Sequence, residues 1–150
     1  MHLSQLLYVS RSVDADRLIV GRILSAARRH NQVDDVTGLL LFDGAHFLQL
    51  LEGDRTVISR LYNRIAVDPR HTDVVILGAG PTAERICPSW SMGYVDDHAV
   101  LADTVLRFSS SRDFDPFAMT ASSALRLARH VVSNAGAIRV RASDRTLTEA

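Results

Sequence analysis

Thr37 to Glu52 reads TGLLLFDGAHFLQLLE. Its first six residues form a continuous apolar run, the pattern of a strand covered on both faces. Asp43-Gly44 is a tight-turn dipeptide, and His46 to Glu52 returns as the hairpin partner. Upstream, Leu3 to Ser10 reads as a strand, with Leu6 and Tyr8 on one face and Leu3, Leu7 and Val9 toward the other. A helix follows, capped by Asp14 or Asp16 and carrying Leu18, Ile19, Ile23, Ala26 and Ala27 at helical spacing, to end around His30 and Asn31. Downstream, Asp54 caps a second helix with the stripe Val57, Ile58, Leu61 and Ile65. Pro69 stops it and pushes Asp68 out of helical geometry. Asp73 to Leu77 (DVVIL) is a fourth strand and Gly78 to Pro81 a turn. A fifth strand falls within Glu84 to Tyr94, with Pro88 at an irregular start and Trp90 and Met92 alternating along it.

The order β-α-β-β-α-β plus one strand predicts an α+β, ferredoxin-like sandwich. Right-handed crossovers place both helices on one sheet face. The last third differs. Ala99 to Phe108 is partly helical in pattern, 109–113 a loop, and Thr120 to Ser133 a helix with Leu125, Ala128, Val131 and Val132 on one side. Gly136 and the polar end from Ala142 to Ala150 predict a fraying, disordered tail. The sheet is apolar on both faces while its crossover helices cover one, so the C-terminal helices, or another subunit, are expected on the other. The chain thus divides into residues 1–96, a sensor-sized unit, and 97–150, a helical cap and tail.

With 150 residues and 47% hydrophobic content the chain can bury a core of its own. Seventeen basic and seventeen acidic residues cancel, so no net field draws it to nucleic acid or anionic lipid. Arg126, Arg129, Arg139, Arg141 and Arg145 read as a solvated helix face and tail. The single cysteine, Cys87, supports neither a disulfide nor a zinc cluster. MHLSQLLYVSRS lacks a signal-peptide cleavage site, and no apolar run approaches a membrane span. The expectation is a soluble, cytoplasmic protein.

Gln49 breaks the apolar logic of its strand. It shares a face with Phe47 and Leu51, and burying its amide unpaired would cost about 1–3 kcal/mol. Tyr8, on the neighbouring first strand, is a geometrically suitable partner, and for these two residues alone a satisfied core pair is the preferred reading. Asn31 reads as a helix C-cap, Arg64 as a cation suited to a helix C-terminus, Asp68 as a turn former, and Trp90 and Met92 as packing. His46 and His71 lack an acid or nucleophile partner and read as surface or loop histidines. Nucleotide-binding glycine motifs, HExxH and GxSxG are all absent.

Taken together, LLYVSRS, HNQVDDVTGLLLFDGAHFLQLLEG, LYNRIAVDPRH and WSMGY resemble the BLUF domain, a blue-light sensor using FAD, from Leu3 to Tyr94. The likeness is to its short, single-domain type. It implies FAD, with FMN or riboflavin as alternatives, held non-covalently between the two helices. Ile23 and Ile65 would flank the flavin ring. Asn31, Arg64 and Asp68 would bond its polar edge, with a minor role for His30. Tyr8 and Gln49 would be the photoactive pair: an electron and a proton leave Tyr8, return, and leave Gln49 rotated or tautomerised. Trp90 and Met92 would report the change through the C-terminal helix to a downstream signalling protein or a homo-oligomer, without enzymatic turnover and without nucleic acid or membrane.

Two other classes share the element order. An RNA-recognition module needs stacking aromatics and a basic sheet, which HFLQLLE and a neutral charge do not supply. A non-photoactive ligand-binding or regulatory module explains the apolar sheet faces, but not Tyr8, Gln49, Asn31 and Arg64 together. A flavin enzyme would need a catalytic base for which the sequence makes no case.

Overall fold

The computed structural model describes residues 2–143. Its elements are β1 (Leu3–Ser12), α1 (Arg17–Asp34), β2 (Thr37–Phe42), β3 (His46–Asp54), α2 (Arg55–Ala66), β4 (His71–Pro81), β5 (Gly93–Val95), α3 (His98–Val105), α4 (Ala121–Ser133) and α5 (Ala135–Ile138). The strands form one sheet in the order β4-β1-β3-β2-β5. All neighbours are antiparallel except β2 and β5. This is the expected ferredoxin-like arrangement with an added parallel edge strand.

The hairpin forms as its residues dictate. Gly44 takes φ 95°, a value open to glycine. The Asp43 carboxylate accepts the amides of Ala45 and His46 at 2.9 and 2.6 Å. Phe42 and Phe47 then stack across the strand ends, 4.5 Å between centroids. Asp16 caps α1 by accepting the Ile19 amide at 2.8 Å, and Asp54 caps α2 through the Thr56 amide.

Two cores lie on opposite sides of the sheet. One holds Leu6, Tyr8, Leu40, Phe47 and Leu51 against Val20 and Leu24 of α1 and Ile58 of α2. The other holds Leu7, Val9, Leu39, Leu48 and Leu50 against Leu101 of α3 and Ala124, Leu127 and Val131 of α4. The C-terminal helices therefore cover the face that the crossover helices leave open.

Several expectations need correction. Helix α1 runs past Asn31 to Asp34, and Asp35 at φ 53° is its C-cap. Its buried residues are Val20, Leu24, Arg28 and Asn31, not the stripe through Leu18, which is 64% exposed. Gly78 to Pro81 continues β4 instead of turning. The fifth strand is only Gly93–Val95. Trp90 and Met92 precede it, in a bend where the Trp90 amide turns back onto the Cys87 carbonyl. Gly136 lies in the short α5, and the tail expected to be disordered lies, from residue 144 on, outside the described residues.

Candidate functional site

The strand register delivers the first part of the site. Tyr8 on β1 stands opposite Gln49 on β3. Both side chains point to the side of α1 and α2, and both are buried. The Tyr8 hydroxyl donates a short hydrogen bond to Gln49 Oε1. Gln49 Nε2 in turn faces Met92 Sδ at 3.4 Å, and Met92 is fully buried. The amide that broke the apolar pattern is thus held at both ends. Burial, with Asp68 and Tyr62 nearby, raises the Tyr8 pKa, so the phenol stays protonated well above its usual range.

An open cleft lies between the two helices above this pair. Ile23 and Ala27 of α1 form one wall, Leu61 and Ile65 of α2 the other, with Leu40 and Leu51 also lining it. These walls explain why the apolar residues of α1 read as a stripe: Ile23 and Ala27 face the cleft, not the sealed core. Asn31, Gln49, Asp68, Arg70 and His71 are its polar lining. Apolar jaws with a few convergent polar groups suit a flat, amphipathic heterocycle such as a flavin ring.

Of the residues singled out from sequence, Tyr8, Ile23, Asn31, Gln49, Ile65 and Asp68 come together around the cleft. Arg64 is exposed in the last turn of α2 and does not line it; His30 is exposed on α1 beside Arg29 and Val33. The cation at the cleft is Arg70. It grips Asp68 with Nε at 2.9 Å and Nη2 at 2.5 Å, which lowers the Asp68 pKa. Asn31 donates to the Ser91 carbonyl at 2.6 Å. Met92 and Trp90 part company: Met92 joins the cleft-side core, whereas the half-buried Trp90 packs on the far core over Gly93.

Besides Arg70, two residues escaped the sequence reading. His71 is no loop histidine. It lines the cleft, with Nδ1 2.7 Å from Ser10 Oγ and Nε2 2.6 Å from the Ile65 carbonyl, which makes Nε2 a donor. Its sequence signal is position, directly after the Asp-Pro-Arg turn. Arg28 is 4% exposed and donates to the Met92 carbonyl from Nε at 3.0 Å and Nη2 at 2.8 Å. Its signal is spacing, four residues after Leu24 on the same helix face. Among the described residues no three His, Cys, Asp or Glu side chains are placed to hold a metal, and no helix is long and apolar enough to cross a membrane.

An apolar cleft over a tyrosine–glutamine pair on a ferredoxin-like sheet is the arrangement of a ligand-binding α+β module. The family model described as "Sensors of blue-light using FAD", BLUF, matches residues 3–93, and the chain belongs to that family. It is 39% identical over 92 residues to photoactivated adenylate cyclase subunit beta of Euglena gracilis, covering 60% of this chain and 11% of that protein. It is 47% identical over 58 residues to the blue light- and temperature-regulated antirepressor BluF of Escherichia coli strain K12, covering 39% of this chain and 14% of that one. Among solved structures, the photo-activated state of BlsA superposes with TM-score 0.78 at 26% identity over 87% of this chain and 94% of that one. The dark state of BlrB, a BLUF protein, gives 0.76 at 28% identity over 89% and 97%. Residues 3–93 are therefore a domain of the BLUF family of flavin-using blue-light sensors, and the chain spans only a small part of the length of those curated relatives.

Proposed function

We propose that this protein senses blue light with FAD in the cleft and signals through the hydrogen-bond chain Tyr8–Gln49–Met92. That chain is the observation that carries the reading. Ile23 and Ile65 clamp the ring, and Asn31, Asp68 and Arg70 order its polar edge. A bound flavin supplies the light absorption and, when excited, an electron-accepting centre. Tyr8 is the oxidisable donor, and its proton has a ready path along the existing bond to Gln49 Oε1. Return of both leaves the Gln49 amide reoriented.

The consequence for Met92 follows from donor–acceptor chemistry. As placed, Gln49 offers an N–H to the thioether, a weak attraction. A flipped amide presents Oε1 instead, and two lone-pair bearers repel at that distance. Met92 must shift. Residues 97–150, with α4 on the far core, act as the transmitter to a cytoplasmic partner protein or a second copy of the chain. The two states differ only in non-covalent contacts, so the lit state relaxes thermally.

The test is the absorption spectrum of flavin-loaded protein before and after blue light. The parent chain is expected to shift reversibly to the red. Tyr8→Phe and Gln49→Leu are expected to hold flavin and lose the shift. A normal shift in either variant refutes the assignment.

A further inference from the structure

Arg28 ties the cleft to the C-terminal segment. Besides the Met92 carbonyl, its Nη2 donates to the Arg141 carbonyl at 2.9 Å. That same carbonyl accepts the Tyr94 amide at 3.0 Å, and the Arg141 amide donates back to the Tyr94 carbonyl at 2.9 Å. The pair is an isolated antiparallel bridge on the outer edge of β5. The segment around Arg141 is thus tied to the sheet edge by one bridge, and one guanidinium spans the Arg141 carbonyl and that of Met92, the residue behind Gln49.

We propose that Arg28 is the positioning residue that passes movement of Met92 to the C-terminal segment at Arg141; the proposal rests on the Tyr8–Gln49–Met92 reading above. Its planar fork reaches both carbonyls at once, which an ammonium cannot do with the same geometry. When Met92 shifts, the guanidinium follows the carbonyl that Nε and Nη2 both hold, and the single Nη2 bond to the Arg141 carbonyl gives way. The bridge is the natural point of failure, because among the described residues it has two backbone bonds, with the Arg141–Asp96 ion pair at 3.3 Å beside them, against three residues of pairing between β5 and β2. Asn31 holds the neighbouring Ser91 carbonyl from the same helix face, so α1 is the stationary member against which the bend moves. Release of Arg141 frees the edge of β5.

The experiment is amide hydrogen exchange on the full, FAD-loaded chain in the dark and under blue light, with the absorption shift recorded on the same samples. In the parent chain, the Tyr94 and Arg141 amides are expected to exchange about tenfold faster in light, while amides of the β1–β3 ladder do not change. In Arg28→Met the red shift is expected to persist, the two amides to exchange in the dark at the lit rate, and light to add nothing. Arg28→Lys keeps a charge but no fork and is expected to give intermediate dark exchange; it carries the comparison if the methionine variant does not hold flavin. A parent chain with a normal red shift and equal exchange in dark and light overturns the coupling alone. A methionine or lysine variant with the full parental light–dark difference overturns the role of Arg28. A parent chain without a red shift overturns the photochemical reading and this inference with it.

Discussion

Gly93→Ala tests how the bend before β5 is built. A Cβ at Gly93 would lie 2.6 Å from Trp90 Cε3, 3.1 Å from Cδ2 and 3.2 Å from Cζ3, where ordinary contact begins near 3.4 Å. The indole must therefore move by close to an ångström. Its backbone cannot follow, because the Trp90 carbonyl accepts the Gly38 amide at 3.1 Å and its amide donates to Cys87 at 3.2 Å. Only side-chain rotation is left. Overpacking of this kind costs about 1–3 kcal/mol, and replacing a strand glycine by alanine returns about 0.5–1 kcal/mol. The midpoints leave a net loss of about 1 kcal/mol, which lowers the melting temperature by about 2–4 °C for a chain of this size. Trp90 is the single tryptophan, so its emission reports this indole alone. The assay is a thermal melt together with the emission maximum of the flavin-loaded protein. The maximum is expected to move to longer wavelength as the ring leaves the far core, while the blue-light absorption shift survives, since Tyr8, Gln49 and Met92 are on the opposite face. Unchanged emission and melting would show that Trp90 does not sit on Gly93, and the division of labour between Trp90 and Met92 would fall with it.

Two further perturbations follow from burial. Gly38→Ala would put a Cβ 2.0 Å from the Leu50 carbonyl oxygen. The obstacle is backbone, so β2 and β3 must separate, and a loss above about 4 kcal/mol is expected; soluble, flavin-retaining protein with a parental melt would contradict it. Burial raises the pKa of Tyr8, Tyr94 and Cys87 above their usual values. An acid whose folded pKa is raised contributes its full stability below its unfolded pKa and loses it as pH rises. Stability is therefore flat from neutrality to about pH 9 and then falls, by at most about 1.4 kcal/mol per pH unit for each group. Chemical denaturation across pH 7–11 reads this directly, and a stability that rises above pH 9 would refute the burial argument.

The parts that were legible in the sequence are those where one residue type has one role. The 37–52 hairpin, the two aspartate caps and the Tyr8–Gln49 pairing all follow from alternation, turn chemistry and the cost of a buried amide. What was missed has a common physical cause. Helix α1 presents one face to a cleft and another to the core. Its half-exposed apolar residues, Ile23 and Ala27, looked like the buried stripe, while its buried face ends in Arg28 and Asn31. Those two are polar because they meet backbone carbonyls of the bend before β5, which no helical periodicity announces. The fifth strand was overextended because WSMGY alternates like a strand, yet only Gly93–Val95 pair regularly with β2. Trp90 contributes a single backbone bond to Gly38. Arg64 fitted a helix terminus and a family pattern, but its side chain is exposed on α2; Arg70, two residues after the turn former it binds, occupies the cleft.

The placement of stiff and soft parts follows from the same sheet. Tyr8 and Gln49 sit on β1 and β3, which pair over nine successive residues from Leu3–Asp54 to Arg11–His46. A change in the Gln49 amide therefore cannot be absorbed by sliding its own strand. The third member of the chain, Met92, stands just before a strand paired over three residues only. Its backbone carbonyl and that of Ser91 are held by the side chains of Arg28 and Asn31, not by a ladder. Side-chain bonds to carbonyls can exchange partners one at a time, whereas ladder bonds fail together. The same hydrogen-bond change is thus resisted on one side of Gln49 and yielded to on the other. Pairing thus gives the proposed signal a direction before any partner is engaged: from the central strands to the edge strand β5, and from there to the Arg141 bridge on its outer side.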